Sequence, residues 1–317
     1  MYVQWSSSVL CVCCSGLIGR SWALVFISGG LSVKIYDKQP GMAASALSSI
    51  RCQVSEFQQK GLLRGELSAS QQLSLISTCD DLKTAVEGAF FIQECVFENL
   101  EAKQKVFLDI EGLVGSDVIL SSSTSCLVPS LVFCKVQHQS RCLVAHPVNP
   151  PYLVRLVELV PHPLTSPSVM DTAQALMSQV GQVPVRLSRE LDGFALNRIQ
   201  MAVIAESWRL VQDGVISVKD VDLVMSEGLG MRYAFIGPME TMHLNAPQGS
   251  LEDYMRRYGP GIQRVLSSFG PTPDFTGDQA KEIFKEMCQF IPPEQLSART
   301  ERRDQLLSHL AQIKKEH

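Results

Sequence analysis

The chain has 317 residues, enough for two domains, with 45% hydrophobic and 19% charged residues, as in an ordinary globular protein. Its formal net charge is −4 and no basic block appears, which excludes a surface that wraps nucleic acid. The sequence contains no run of 18 uncharged apolar residues, so it predicts no membrane span.

The ten cysteines are scattered, and most lie inside apolar runs, where a free thiol behaves as a small hydrophobic group. This usage suits a reducing compartment, and no metal site is predicted. Residues 1–8 contain no Lys or Arg, so they make a poor signal peptide. We therefore expect a cytoplasmic protein whose residues 1–11 form an atypical leader.

The first 190 residues alternate short apolar runs with stretches of helical character, which is typical of repeated strand–helix units. Strands are predicted at residues 9–14, 31–36, 90–95, 118–121 and 142–145. Strands separated by crossovers form a parallel sheet. The predicted fold class is therefore α/β, with an N-terminal Rossmann-type, doubly wound, mostly parallel sheet.

After Gly193 the pattern changes to helical spacing alone. Helices are predicted over residues 195–212, from residue 220 and over residues 297–317. The C-terminal domain is therefore predicted to be all-α. Asp192 and Gly193 are expected to form the hinge between a domain of residues 1–192 and a helical domain of residues 193–317.

A glycine motif at residues 14–19, C-S-G-L-I-G, follows the first predicted strand and opens a helix. Its spacing is that of the G-x-G-x-x-G dinucleotide fingerprint. In that fingerprint the second glycine allows close approach of a pyrophosphate and the third allows the helix to pack. Gly16 and Gly19 meet these demands, and the amides of Leu17 and Ile18 at the helix start would face the phosphates.

Asp37 ends the second predicted strand, 21 residues after Gly16. A carboxylate there can bind both ribose hydroxyls and repels a 2′-phosphate, so NAD is favoured over NADP. Strand, helix, second strand and acid together predict that residues 1–192 bind NAD. Cys14 departs from the fingerprint because it replaces the first glycine, and a tight turn without a ligand is the alternative interpretation.

Side chains suited to alcohol oxidation follow two predicted strands. The hydroxyl-rich run S-S-S-T-S at residues 121–125 and His146 lie at the ends of these strands, at the edge of the sheet where ligands bind. Histidine is a suitable general base near neutral pH, and Glu158, 12 residues later, can fix its tautomer. A serine hydroxyl of this run and the amide of Asn197, in the run G-F-A-L-N-R at residues 193–198, can donate to a substrate oxygen.

These motifs and their order resemble the 3-hydroxyacyl-CoA dehydrogenase superfamily over nearly the whole chain. The resemblance implies a Rossmann domain and, in residues 193–317, a helical domain that binds substrate and forms a homodimer. It implies that His146 is the base, that Glu158 is its carboxylate partner, and that Ser125 and Asn197 are the oxygen donors.

The same resemblance implies further contacts to the cofactor. The family's nicotinamide-side contacts fall on Glu98 and Lys103, and Asn149 in the run H-P-V-N-P matches another contact. More narrowly, the chain resembles the L-gulonate 3-dehydrogenases of the superfamily, and the resemblance is strongest over residues 120–127, 145–152, 156–163 and 222–238. This narrower resemblance implies the oxidation of L-gulonate to 3-dehydro-L-gulonate.

The predicted substrate is a small hydroxy acid rather than an acyl-CoA. Family members that act on CoA carry a lysine-rich helix after the second strand, whereas residues 42–60 contain only Arg51 and Lys60 as cations. Arg232, in a glycine-framed loop at residues 228–235, can bind a carboxylate through two hydrogen bonds, and an ion-paired surface arginine is the alternative. Two other functions stay open: a 3-hydroxyacyl-CoA dehydrogenase, and a structural NADH-binding protein with little turnover.

Overall fold

The computed structural model of the protein describes residues 9–13, 15–246 and 250–316, so Cys14 and most of the leader lie outside the described residues. The chain divides into two compact units. Unit 1 is Met1–Arg198 with Leu307–Gln312, and unit 2 is Ile199–Leu306 with Ile313–His317. The functional assignment of residues 1–192 and 193–317 stays a prediction.

The strands of unit 1 are β1 (Val9–Cys13), β2 (Ser32–Tyr36), β3 (Ile76–Cys79), β4 (Ala89–Glu94), β5 (Ile119–Ser122), β6 (Cys142–Pro147), β7 (Leu156–Pro161) and β8 (Val183–Arg186). Its helices are α1 (Leu17–Ser28), α2 (Met42–Gln59), α3 (Ala69–Ser74), α4 (Leu82–Val86), α5 (Leu100–Glu111), α6 (Pro129–Val132) and α7 (Pro167–Gln179). Helix α8 (Leu196–Gln212) begins in unit 1, and the boundary between the units falls after Arg198.

The strands described in unit 1 form one sheet in the order β3-β2-β1-β4-β5-β6-β7-β8. Neighbouring strands are parallel, except that β6 and β7 pair antiparallel. The chain order reverses between β1 and β4, and ligands of such sheets bind beyond the carboxyl ends of the strands at this point. The predicted doubly wound, mostly parallel α/β sheet is therefore confirmed.

The sheet has a hydrophobic core on each face. Side chains alternate along β6, so that Leu143 joins one core and Val144 joins the other. Helices α1, α2, α3 and α7 cover the first face, whereas α4, α5 and α6 cover the second, where Phe194 is also buried. By the same alternation His146 lies on the face of Phe194.

Strands β1, β2, β4, β5 and β6 agree with the predicted strands to within two residues at each end. Strands β3 and β8 were not predicted, because each has only four residues, lies at an edge of the sheet and is partly exposed. Strand β7 was also not predicted. Its sequence, L-V-E-L-V-P, carries a charged residue inside an apolar run.

The described residues of unit 2 form helices and loops only, so the predicted all-α C-terminal part is confirmed. The helices are α9 (Val218–Leu223), α10 (Gly230–Tyr233), α11 (Pro238–Leu244), α12 (Leu251–Leu266), α13 (Asp278–Phe290) and α14 (Leu296–Glu316). Trp208 packs edge-on against Phe275 and Phe284, at centroid distances of 5.1 and 5.9 Å. Among the described helices of the whole chain, none is both long and apolar enough to cross a membrane.

Candidate active site

The glycine motif places backbone amides at the carboxyl end of β1. Gly16 is the N-cap of α1, with φ of −64°, and no side chain caps this helix. The first intrahelical hydrogen bond runs from the amide of Arg20 to the carbonyl of Gly16, so the amides of Leu17, Ile18 and Gly19 precede it. A helix start of this kind attracts an anion through its N–H groups and its dipole.

Asp37 lies beside this helix start. Its Oδ2 accepts hydrogen bonds from the amide and the hydroxyl of Ser15, at 2.9 and 2.6 Å, and its Oδ1 accepts one from the amide of Gln39 at 2.9 Å. The structure thus brings Asp37 and Gly16, which the sequence assigns to one cofactor, to the same edge of β1 and β2.

These residues fit a dinucleotide. A Cβ atom placed on Gly16 would meet no described atom within 4 Å, so the space above the start of α1 is open to a pyrophosphate. The uncapped amides supply donors for its oxygens, and the carboxylate of Asp37 supplies acceptors for ribose hydroxyls. The substitution at Cys14 falls outside the described residues, so the structure does not test its effect.

His146 and Glu158 face each other across the antiparallel pair β6 and β7. They are direct partners in the register, where Cβ atoms lie about 4.5–5.5 Å apart. The Nδ1 atom of His146 is 2.9 Å from Oε2 of Glu158, and both side chains are buried, at 3% and 2% exposure. The spacing of 12 residues follows from a two-strand hairpin, which returns the chain to its starting point. A carboxylate at Nδ1 favours the tautomer whose Nε2 can accept a proton.

The second oxygen of Glu158 binds the start of α8. Its Oε1 accepts hydrogen bonds from the amides of Ala195 and Leu196, both at 2.9 Å. The residue before these amides, Phe194, has a positive φ of 52°. The centroid of its ring lies 5.4 Å from that of the His146 ring. Burial raises the pKa of Glu158, but the hydrogen bonds from His146 and the two amides outweigh it and hold the pKa below its usual value.

Ser125 and Asn197 lie side by side. Ser125 is exposed in the loop after β5, and its carbonyl accepts a hydrogen bond from Nδ2 of Asn197 at 2.6 Å. The amide of Ser125 donates to Oε1 of Glu98 at 3.0 Å. An amide group carries two N–H donors, and Nδ2 of Asn197 also donates to Sγ of Cys126 at 3.6 Å, where sulfur is a weak acceptor. Asn197 directly follows the two amides that bind Glu158, so all four predicted catalytic residues belong to one continuous network.

The predicted cofactor contacts on the nicotinamide side have different environments. Lys103 is 1% exposed, and its ammonium binds Glu94 and Glu98, at 3.1 and 3.3 Å, and the carbonyl of Val96 at 3.0 Å. Glu98 is half-exposed, and Asn149 is exposed in the loop after β6. Direct contact of these three residues with the cofactor stays a prediction, and the structure surrounds the ammonium of Lys103 with protein groups.

Arg232 is an exposed residue of α10 in unit 2, and the loop predicted at residues 228–235 is wrong as far as Tyr233, because a π-helix at Val224–Leu229 continues directly into α10. Among the described residues no ion-pair partner of Arg232 is found. Its predicted role as the carboxylate clamp stays a prediction.

Sequence reasoning missed Glu94, Thr124 and the two amides at the start of α8. Glu94 could have been found, because it is an acid at the end of the otherwise apolar strand A-F-F-I-Q-E. The amides carry no side-chain signal and depend on the conformation at Phe194.

The chain matches known proteins along nearly all of its length. Residues 9–191 match the model of the NAD binding domain of 3-hydroxyacyl-CoA dehydrogenase, and residues 193–286 match that of its C-terminal domain. The chain belongs to the 3-hydroxyacyl-CoA dehydrogenase family. The resemblance stated from the sequence is confirmed, and NAD is the cofactor of this family's N-terminal domain.

Individual relatives include lambda-crystallin of Oryctolagus cuniculus, which is 55% identical over 304 residues that cover 95% of each chain. The lambda-crystallin homolog of Bos taurus is 57% identical, covering 95% of this chain and 94% of the relative. An L-carnitine dehydrogenase of Pseudomonas syringae is 32% identical over 83% of this chain and 80% of its own. The narrower resemblance therefore lies within a branch of the family that contains lambda-crystallins.

A solved structure supports the same fold. The 5-formyl-3-hydroxy-2-methylpyridine 4-carboxylic acid 5-dehydrogenase, described as an NAD+-dependent dismutase, aligns with a TM-score of 0.83 at 25% identity. The alignment covers 96% of this chain and 97% of that structure. The chain is therefore a member of a family of NAD-dependent dehydrogenases, and its NAD-binding domain precedes its C-terminal domain in the sequence.

Proposed function

We propose that the protein is an NAD-dependent dehydrogenase that oxidises the hydroxyl at carbon 3 of a small carboxylic acid, L-gulonate, to give 3-dehydro-L-gulonate. The observation that carries this proposal is the buried pair of His146 and Glu158, with 2.9 Å between Nδ1 and Oε2. NAD, when bound, supplies the acceptor for the hydride that leaves carbon 3.

His146 acts as the general base. With the Nδ1 proton donated to Glu158, the lone pair of Nε2 takes the hydroxyl proton, and the ring becomes an imidazolium. Glu158 stays ionised because its hydrogen bonds hold its pKa below its usual value, so it stabilises the charged ring. A positioned base of this kind contributes about 10²–10⁴-fold to the rate.

Ser125 and Asn197 hold the reacting oxygen. The donors are the hydroxyl of Ser125 and the second N–H of Asn197, which exchanges its weak acceptor, Sγ of Cys126, for the substrate oxygen. The hydrogen bond between Asn197 and Ser125 fixes their relative position. A single donor placed at such an oxygen contributes on the order of 10²–10³-fold.

A small acid suits the chain better than an acyl-CoA. Helix α2 carries only one cation, Arg51, and the next one, Lys60, is paired with Glu56. Few charges are therefore left for the phosphates of CoA. The name of the L-carnitine dehydrogenase relatives also points to a small substrate with a carboxylate.

The test of this function is NADH formation with L-gulonate, run beside 3-hydroxybutyryl-CoA, L-carnitine and a His146→Ala variant. We expect turnover with L-gulonate and a rate about 10²–10⁴-fold lower in the variant. Faster turnover with the CoA thioester would replace the proposal with the acyl-CoA alternative. Tight binding of NADH without turnover of any of the three would favour the structural NADH-binding alternative.

The carboxylate clamp at Arg232 is part of the proposal. A hydrogen bond to a charged group contributes about 1.5–3 kcal/mol, so Arg232→Met is expected to raise the KM for L-gulonate roughly ten- to a hundredfold. Arg256→Met is a matched control in unit 2, because Arg256 is exposed and already paired with Glu252 at 3.0 Å. An unchanged KM in Arg232→Met, or an equal rise in the control, would remove Arg232 from the site.

A homodimer formed by the helical part is also proposed, with the cytoplasm as the location. Large apolar side chains of unit 2 are exposed, among them Ile199 at 63%, Met201 at 52% and Leu266 at 55%. Exposed apolar side chains of this size are what a subunit interface would cover. Light scattering during size-exclusion chromatography tests it, and a mass of 35.0 kDa, that of one chain, would refute it.

A further inference from the structure

The carboxylate of Glu98 connects two segments of unit 1. Glu98 lies between β4 and α5, and its Oε1 accepts hydrogen bonds from the hydroxyl of Thr124 and the amide of Ser125, both in the loop after β5. Its Oε2 is 3.3 Å from the ammonium of Lys103. Glu98 therefore holds the backbone of the residue whose hydroxyl is the proposed oxygen donor.

Lys103 forms a second ion pair, with the buried carboxylate of Glu94. Its ammonium is 3.1 Å from Oε1 of Glu94, and both side chains are at most 1% exposed. Glu94 also accepts hydrogen bonds from the hydroxyl of Ser122 and the amide of Val96, each at 2.5 Å. A buried ion pair with this many partners has little freedom to move, so it fixes the ammonium that Glu98 meets.

Thr124 fixes the loop from the inside. It is 0% exposed, and besides donating to Glu98 its hydroxyl accepts a hydrogen bond from the amide of Leu127 at 3.1 Å. Its own amide donates to the hydroxyl of Ser122 at 3.2 Å. The turn on either side of Ser125 is thus tied to one buried hydroxyl.

We infer that Thr124, Lys103 and Glu94 are positioning residues, which act through the carboxylate of Glu98 to fix the backbone of Ser125 at the carboxyl edge of the sheet. The inference rests on the proposed function, because it concerns the geometry of the proposed oxygen donor. It gives Lys103 a structural task in place of direct contact with the cofactor. A displacement of about 1 Å of a reacting group costs on the order of 10²-fold in rate.

Thr124→Val tests the inference, because the change preserves shape and removes the hydroxyl of a residue too buried to touch cofactor or substrate. We expect the kcat for L-gulonate to fall about 10–100-fold, with the dissociation constant of NADH changed by less than about threefold. Thr124→Ser should restore the kcat. Thr165→Val is the matched control, since it likewise removes a hydrogen-bonding hydroxyl from unit 1, but one that donates to the backbone carbonyl of Cys142 and not to Glu98.

A second variant tests the buried pair. Glu94→Gln combined with Lys103→Met removes both charges of the buried pair, and Glu98, which also loses the ammonium, is half-exposed to water, so folding should be retained. We expect the same loss of kcat with NADH affinity preserved. Weaker NADH binding with unchanged kcat would show instead that Lys103 contacts the cofactor, and would overturn the inference.

Hydrogen exchange of residues 120–128 gives a readout that needs no turnover. The amide of Ser125, which is bound by Glu98, should exchange faster in Thr124→Val and in the double variant than in the wild type and in Thr165→Val. Wild-type protein without turnover would reject the proposed function alone. Equal exchange in all four proteins, or equal kcat in wild type and Thr124→Val, would reject the positioning role.

Discussion

Replacing Glu158 by glutamine should disable the base while leaving the fold in place. The side chain keeps its length, and the single oxygen of the glutamine side chain can still accept the hydrogen bonds from the backbone amides of Ala195 and Leu196. The NH2 group then faces Nδ1 of His146, where the carboxylate oxygen lay at 2.9 Å. A donor at that place forces the ring into the other tautomer, whose Nε2 carries a proton and cannot accept one.

The reversed orientation of the variant amide is unfavourable. Turning the group so that its oxygen meets His146 would bring its NH2 against the two amides of α8 and leave both N–H groups unsatisfied. An unsatisfied buried donor costs about 1–3 kcal/mol, so the reversal costs about 2–6 kcal/mol in total. Since 1.36 kcal/mol corresponds to a factor of ten, the inactive tautomer should dominate. We expect the kcat to fall about 10²–10⁴-fold.

The assay is the initial rate of NADH formation at saturating L-gulonate and NAD, with the dissociation constant of NADH measured separately by fluorescence. Glu111→Gln is a matched control, because Glu111 likewise binds the Nδ1 atom of a histidine, His138, and two backbone amides, yet lies outside the candidate site. The control should keep the wild-type kcat. A kcat of Glu158→Gln within about threefold of wild type would refute the role of the pair.

Three further predictions concern stability and cofactor binding. Phe194→Ala should lower the free energy of unfolding in urea by about 3–5 kcal/mol, because a fully buried ring is lost while the strain of a positive φ is kept; a loss below about 1 kcal/mol would contradict this. In the folded protein the pKa values of Glu98 and Glu158 are both below their usual values. The two ionised carboxylates therefore stabilise the fold fully at a pH above the pKa that they have in the unfolded chain, and this contribution is lost as the pH falls through their folded-state pKa values. The melting temperature should therefore drop in acid, and it should drop less steeply in Glu158→Gln than in the wild type. Parallel curves of melting temperature against pH for the two proteins would contradict this prediction. Gly16→Ala should keep the melting temperature, because φ is −64° and the Cβ meets no described atom, but should raise the dissociation constant of NADH at least about tenfold; equal affinity would show that the pyrophosphate lies elsewhere.

Most of the sheet follows from the sequence because its central strands are buried on both faces and therefore read as continuous apolar runs. Strand β8 shows the limit, since its sequence V-P-V-R is mostly exposed and its pairing with β7 depends on tertiary contacts. Strand β7 shows another limit, because Glu158 interrupts its apolar run, and the charge is tolerated only where a histidine and two amides meet it.

The predicted site residues differ in how far the sequence alone could specify their surroundings. The spacing of His146 and Glu158 indicated a functional pair, but their direct opposition depends on the antiparallel register of β6 and β7. The prediction that Lys103 contacts the cofactor comes from the family resemblance, in which its position matches a nicotinamide-side contact. Its burial against Glu94 could not be predicted, because it depends on where α5 packs across the ends of β4 and β5.

The reversal of strand direction at β7 makes the catalytic pair possible. In a parallel neighbour, the residue opposite His146 would come from a strand reached through a crossover of a dozen or more residues. The antiparallel hairpin instead brings Glu158 back within 12 residues, in the middle of a strand where the backbone is rigid. Its free oxygen then reaches the amides of Ala195 and Leu196, immediately after the junction of the two matched family domains at residues 191 and 193. Because the same carboxylate binds the base and the first turn of α8, a shift of that turn would change the hydrogen bonding of the imidazole. The first turn of α8, which lies in unit 1, is thereby coupled to the protonation of the imidazole of His146.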